Sequence, residues 1–229
     1  MTIYLLDDAF VFPDPAQTDD PSGILAVGGD LTPGRLVLGY SLGIFPWYDE
    51  ALSPILWHCP EDRFVLIPQA LRIGRSIRRS IRDLDLEITY DKAFNEVIDF
   101  CGEVPRHGQD GTWLNEDMKA AYIELHQQDY AHSAEAWQNG KLVGGLYGVT
   151  LGGVFFGESM FSLIPGASKA VFAQLIPRLE NAGYRLIDCQ IYTEHLARFG
   201  AVEWSRTHFL GTLKKELMVR PRPKWPSNN

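Results

Sequence analysis

The chain reads as an α+β fold, a sheet domain with helices packed on its faces, preceded by a small α+β unit. Three observations carry that expectation. Residues 131–161, AHSAEAWQNGKLVGGLYGVTLGGVFFGESMF, run through three strand-length segments. The Asn139-Gly140 pair between the first two marks a tight hairpin, because both central positions of that turn need positive φ. The segment ASKAVFAQLIPRLENAGYRLIDCQI then supplies a helix, a glycine turn and one more strand. An antiparallel meander continued by helix and strand builds a layered α+β sheet.

From the start of the chain, residues 1–61 are rich in Pro, Gly and aromatic side chains and predict the small first domain, ahead of a larger one over 62–229. Within it, GILAVGGDLTPGRLVLGYSLGIFPWYD holds a short apolar run, a Gly-Gly-Asp turn and one helix. That helix opens at Thr32-Pro33, a capping residue followed by proline at the first helical position, and ends by Gly43. PILWHCPEDRFVLIP predicts strand, turn, strand, punctuated by Pro60 and Pro68. LRIGRSIRRSIR, from Leu71 to Arg82, predicts an amphipathic helix. Ile73, Ile77 and Ile81 fall on one face, and Arg72, Arg75, Arg79 and Arg82 on the opposite one. LEITYDKAFNEVIDFCGE predicts a strand passing into a helix, and WLNEDMKAAYIELHQQDY a second amphipathic helix. A last helix over about Thr207 to Met218 precedes a basic, proline-containing tail.

Composition narrows the function classes. With 229 residues, 45% of them hydrophobic and 22% charged, the chain has enough apolar matter for a proper core. Its start, MTIYLLDDAFVFPDP, has no positive leader and is interrupted by Asp7 and Asp8, unlike a signal peptide. The longest uncharged stretch, Leu142 to Gly157, falls short of the roughly 20 residues a membrane span needs. No membrane is therefore expected. Cys59, Cys101 and Cys189 lack a CxxC spacing, so neither a disulfide framework nor a zinc site is indicated and the cytoplasm is the expected compartment. The six histidines form no HxxxH or HExxH pattern, and His107 and His132 read as ordinary residues; no metal is expected. A net charge of −8 argues against nucleic acid on average. The arginine segment is the local exception, a one-sign stripe suited to phosphates if it is more than a solvated helix face.

Two short segments could carry chemistry. In LIDCQI, Asp188 and Gln190 lie two apart and face the same way along a strand, with Cys189 facing away. A carboxylate beside a carboxamide on an apolar strand is costly to bury without purpose. In GESMFS, Glu158 and Ser159 follow an apolar run, but Phe161 stands where a nucleophile elbow needs glycine. Around Pro46, Phe45, Trp47 and Tyr48 cluster with Trp57 nearby, either as core or as a platform for a nucleobase.

Taken together, these stretches resemble the bacterial leucyl/phenylalanyl-tRNA–protein transferases. GIFPW, GESMFS and DCQ are the most specific of them. PILWHCPEDR, GTWLNEDMKAAYIELH, AHSAEAW and LVGGLYGV fall between them, in family order, over about residues 22 to 204. The resemblance implies a second domain like that of the N-acetyltransferases. It implies transfer of Leu or Phe, and Met less well, from aminoacyl-tRNA to proteins beginning with Arg or Lys, which marks them for degradation by the N-end rule. No cofactor is implied, and a monomer is expected. Carried over by position, Glu158, Asp188 and Gln190 match the polar catalytic centre. Trp47 and Trp113 match aromatic residues at the terminal adenosine. Met160 and Phe155 match the wall of the aminoacyl pocket, where Leu146 and Leu175 replace Met and Phe of the family pattern. Arg75, Arg78, Arg79 and Arg82 sit where the family presents charge to the tRNA acceptor stem.

An aminoacyl ester is already activated, so the expected chemistry is mainly proximity plus the management of one proton. Asp188 is expected either to accept that proton or to anchor an ammonium, with Glu158 supporting the same centre or attracting the basic acceptor side chain. Two rival readings are an acetyl-CoA-dependent N-acetyltransferase and a non-catalytic tRNA-binding module. The first lacks its Arg/Gln-x-x-Gly-x-Gly/Ala loop anywhere in the chain, and the second has no use for Glu158, Asp188 and Gln190.

Overall fold

The alternating run around Asn139-Gly140 becomes two adjacent strands of a seven-stranded sheet, in a computed structural model that describes residues 2–49, 53–104 and 114–228. A smaller, four-stranded sheet comes first. It contains β1 (Tyr4–Leu6), β2 (Ile24–Gly28), β3 (Phe45–Pro46) and β4 (Leu56–His58) in the order β1-β2-β4-β3, with α1 (Pro33–Ser41) between β2 and β3. Thr32 precedes α1 and Pro33 occupies its first turn, as expected, although the Thr32 hydroxyl turns to Asp30 and makes no capping bond; Gly43 turns the chain out of the helix at φ +76°.

The large sheet starts with β5 (Asp62–Leu66). Then come α2 (Arg75–Asp83), β6 (Glu87–Tyr90), α3 (Phe94–Glu103), α4 (Glu116–Gln127), β7 (Ala131–Gln138), β8 (Lys141–Leu151) and β9 (Val154–Ser162). The chain continues through α5 (Ala167–Ala182), β10 (Leu186–Gln190), α6 (Glu194–Ala197), β11 (Val202–Ser205) and α7 (Arg206–Glu216). Strand order is β11-β5-β10-β9-β8-β7-β6. The meander β6 to β9 is antiparallel, with Asn139 and Gly140 at φ +51° and +73° in the β7–β8 turn. Within this sheet, among the described residues, only β9 and β10 pair in parallel, because α5 carries the chain back across the sheet between them.

Apolar residues fill both faces of this sheet. On one side, α1, α3, α4 and the small sheet enclose Tyr40, Trp57, Tyr122 and Phe156. On the other, α5 covers β8 and β9 with Val171, Phe172, Leu175 and Leu179, over Leu146 and Phe155. Each such fully buried side chain is worth about 1.5–3 kcal/mol. The expected α+β architecture is present.

Two elements differ from expectation. The strands of PILWHCPEDRFVLIP join different sheets: β4 pairs with β2 and β3, whereas β5 lies between β10 and β11. The arginine helix begins at Arg75, not Leu71. Leu71 N–H is taken by the Pro68 carbonyl (3.1 Å) and Arg72 N–H by the Phe199 carbonyl (2.8 Å), which holds the preceding residues in another path. At its other end the helix takes in Asp83, whose carboxylate lies 3.7 Å from Arg79 and 3.5 Å from Arg82. The stripe is not free of acid.

Candidate active site

On β9, Tyr147 faces Ser159 while the next residue, Gly148, faces Gly157, leaving Glu158 as the extra residue of a bulge. A bulge breaks the period of two and re-aims one side chain. Here it turns the Glu158 carboxylate between α1, α4 and β10. Tyr122 donates its hydroxyl to Oε2 at 2.9 Å, Gln190 donates Nε2–H to Oε1 at 2.8 Å, and the Tyr40 hydroxyl lies 2.6 Å from that of Tyr122. Burial lifts the Glu158 carboxyl from 4.5 to about 7. Hydrogen bonds from Tyr40 and Tyr122 oppose the lift, and the charge of Asp188 adds to it. The same enclosure pushes both tyrosines well above their usual range.

A second irregularity sits opposite. The β10–β5 register shifts between Asp188 and Gln190, and Gln190 adopts the left-handed region at φ +63°. Such a conformation costs a residue with a Cβ about 1–3 kcal/mol and survives only when its surroundings enforce it. Asp188 provides that enforcement by accepting the Gln190 backbone N–H at Oδ1, 2.9 Å away. Simple strand alternation therefore fails at this point: Cys189, expected to face away, lines the same cavity as Gln190.

Asp188 itself is set behind the wall. It has no exposed surface, and Arg63 grips it from β5 with Nε on Oδ1 (2.8 Å) and Nη2 on Oδ2 (2.6 Å). The Arg63 guanidinium lies between the rings of Phe45 and Phe209, 4.7 and 4.5 Å from their centroids. Both carboxylate oxygens are thus engaged. Asp188, expected at the reacting groups, does not line the cavity, and its charge is paired with Arg63.

The cavity in front of Glu158 and Gln190 holds about 720 Å³, within the range of sites for ligands of drug size. Leu146, Phe155, Met160, Phe172 and Ile187 give it an apolar wall, and Trp47, 36% exposed, stands at the rim. Leu175 is not in that wall; it is fully buried between α5 and the sheet, because its turn of the helix faces the core. Trp113 lies outside the described residues. Arg75, Arg78, Arg79 and Arg82 all lie exposed on α2, away from the cavity lining.

Sequence reasoning missed Arg63, Tyr40 and Tyr122. A signal existed for the first, since a carboxylate on an apolar strand needs a compensating partner, but nothing in the chain says that Arg63 supplies it. It also missed a grouping of Asp91, His126 and His132, whose ligand-type atoms lie within 4.8 Å of one another. Hydrogen bonds account for that grouping. Asp91 Oδ2 faces His132 Nδ1 at 2.7 Å and Oδ1 accepts Ser133 N–H at 2.8 Å, while His126 Nδ1 faces the Ala131 carbonyl at 2.8 Å.

With the bulged glutamate, the left-handed glutamine and the apolar cavity in place, comparison with known proteins identifies the lineage. The family model described as leucyl/phenylalanyl-tRNA protein transferase matches residues 65–214, and that of the family's N-terminal domain matches 29–61. The chain belongs to this family. It is accordingly an enzyme, an aminoacyltransferase. A leucyl/phenylalanyl-tRNA–protein transferase of Myxococcus xanthus is 53% identical over 98% of this chain and 97% of its own length. The same-named protein of Syntrophotalea carbinolica is 51% identical over 99% and 100%. Among solved structures, L-PGS from Bacillus licheniformis matches at 12% identity and a TM-score of 0.42, over 82% of this chain and 71% of that one. A GCN5-related N-acetyltransferase from Kribbella flavida matches at 12% and 0.35, over 76% and 61%. Among the described residues, no helix is long and apolar enough to cross a membrane.

Proposed function

We propose that the chain transfers Leu or Phe, and Met less well, from aminoacyl-tRNA to the N-terminal amine of proteins beginning with Arg or Lys, as a cytoplasmic monomer that creates an N-end rule signal. The observation that carries this reading is one geometry: the Glu158 carboxyl, held by Tyr122 and Gln190, at the wall of an apolar cavity. Leu146, Phe155 and Met160 receive the aminoacyl side chain, and Trp47 stacks on the terminal adenosine. Residues 1–61 supply that rim and 62–229 the chemistry, while the α2 arginines meet acceptor-stem phosphates.

The acceptor amine attacks the ester carbonyl, the new C–N bond forms, and the bond to the ribose oxygen breaks. The amine gives up its proton to Glu158, which returns it to the departing oxygen. A base near 7 suits an α-amine whose ordinary pKa is about 7.7–8.0. Gln190 holds the Glu158 carboxylate in place, and Asp188 holds Gln190. Apolar pockets discriminate between neighbouring aliphatic groups by only about 1–3 kcal/mol per methylene, which suits a donor range spanning Leu, Phe and Met.

The test is transfer of labelled Phe from Phe-tRNA to a peptide beginning with Arg, by wild type and Glu158→Gln, from pH 5.5 to 8.5. Wild-type kcat/KM should climb through a limb near pH 7 that the variant lacks, leaving the variant only the rise of the amine itself at about 7.7–8.0. Absence of wild-type transfer would sink the activity, and an unchanged limb in the variant would remove Glu158 from proton transfer.

A further inference from the structure

Beyond α7 the chain runs back over the α5 side of the large sheet, in a segment past the stretch 65–214 matched by the family model. Pro223 approaches Gly183, at the end of α5. Farther on, the Asn228 carboxamide accepts the Tyr90 N–H at 2.7 Å and donates to the Tyr90 carbonyl at 2.8 Å. Tyr90 ends β6, the outermost strand of the sheet, so this pair satisfies backbone groups that an edge strand leaves open.

Between these two anchors sits Trp225. Its ring stacks on His132 with centroids 4.8 Å apart and planes 13° from parallel, and it meets the Phe155 ring at 5.4 Å and 36°. His132 cannot yield easily, because Asp91 holds it at 2.7 Å. The indole N–H is buried without an acceptor, so ring packing rather than a hydrogen bond keeps the indole there. Phe155 has equally little room on another side. A Cβ at residue 148 would fall 2.6 Å from the Phe155 ring, and only because residue 148 is glycine does the ring fit its slot. Glycine and indole bound the ring on the protein side, and the cavity lies open on the other.

We propose that Trp225 is a specificity-positioning residue that holds Phe155 forward and thereby sets the depth of the pocket for the aminoacyl side chain. The inference rests on the reading above, that the cavity receives this side chain. Without the indole, Phe155 can fall back and lengthen the pocket. A longer apolar pocket favours the larger donor, Phe over Leu.

The experiment compares kcat and KM for Phe-tRNA and Leu-tRNA with one peptide beginning with Arg, in wild type, Trp225→Ala, Trp225→Leu and Trp225→Phe, each checked for folding by circular dichroism. Trp225→Ala should raise the Phe-to-Leu ratio of kcat/KM by about tenfold, the lower end of what a methylene of apolar fit discriminates. Most of the change should fall in KM. Trp225→Phe should restore the ratio, and Trp225→Leu, which keeps the core apolar if the alanine variant does not fold, should lie between. An equal loss with both donors, or an unchanged ratio in folded Trp225→Leu, would overturn the inference and leave Trp225 a purely structural residue. If wild type transfers neither amino acid, the proposed activity has failed, and the inference falls with it.

Discussion

Replacing Glu158 by Gln should stabilise the protein, and by an amount that depends on pH. Burial lifts this carboxyl from 4.5 to about 7. The folded state therefore keeps a proton over a range in which the unfolded chain has released it, so stability falls as pH rises through that range. Each pKa unit corresponds to about 1.4 kcal/mol, which makes the ionised carboxylate cost about 3 kcal/mol once pH is above 7. Below 4.5 the group is protonated in both states and the cost vanishes. Glutamine keeps the shape, still accepts the Tyr122 hydroxyl, and does not titrate, provided the Gln190 carboxamide turns to offer its oxygen to the new N–H. Urea unfolding of wild type and variant between pH 5 and 8 isolates the effect, because the other carboxylates cancel in the difference. The gap should widen in favour of the variant by about 2–3 kcal/mol across that interval. A constant gap, or one that closes as pH rises, would refute the claim that burial controls this group. The expected outcome pairs a gain in stability with a loss of transfer, as befits a residue kept for chemistry and not for folding.

Two further outcomes follow from the same geometry. Arg63→Met should destabilise the fold by about 3–5 kcal/mol, since it strands the Asp188 charge, whereas the double variant Arg63→Met/Asp188→Leu should recover most of that loss; chemical denaturation of both reads the difference, and equal losses would show that the pair is not coupled. Charge reversal at Arg78 and Arg79 should weaken tRNA binding and flatten its dependence on salt, and an unchanged salt slope would return α2 to a merely solvated face.

Much of this was legible in the chain because local chemistry and tertiary demand agree. Asn139-Gly140 forms its turn, Thr32-Pro33 opens α1, and Asn115 caps α4 by accepting the Met118 N–H at 2.9 Å. What escaped reading depends on pairs far apart in sequence. Nothing local announces that Arg63 will meet Asp188 or that Tyr122 will meet Glu158, because those partners are chosen by sheet order. Periodicity also misled where the backbone departs from it. A period of two correctly groups Asp188 with Gln190 only if the strand is regular, and the shift after Asp188 is invisible in LIDCQ. For α2, the amphipathic pattern was real but overlong, since two backbone donors at residues 71 and 72 bond outside the helix.

The burial of Asp188 changes what its removal can mean. A carboxylate set behind the cavity wall, gripped by Arg63 and itself holding the Gln190 peptide in a left-handed conformation, is out of reach of an incoming amine. Loss of activity on substituting it would report an unpaired guanidinium and a relaxed Gln190 as readily as a missing base. Glu158 is different. Its hydrogen-bond partners are the Tyr40 and Tyr122 hydroxyls and the Gln190 carboxamide, all neutral, and burial outweighs them and brings its pKa near that of an amine. The ion pair beneath Asp188 is why the proposed transfer assigns the proton to Glu158 and not to Asp188.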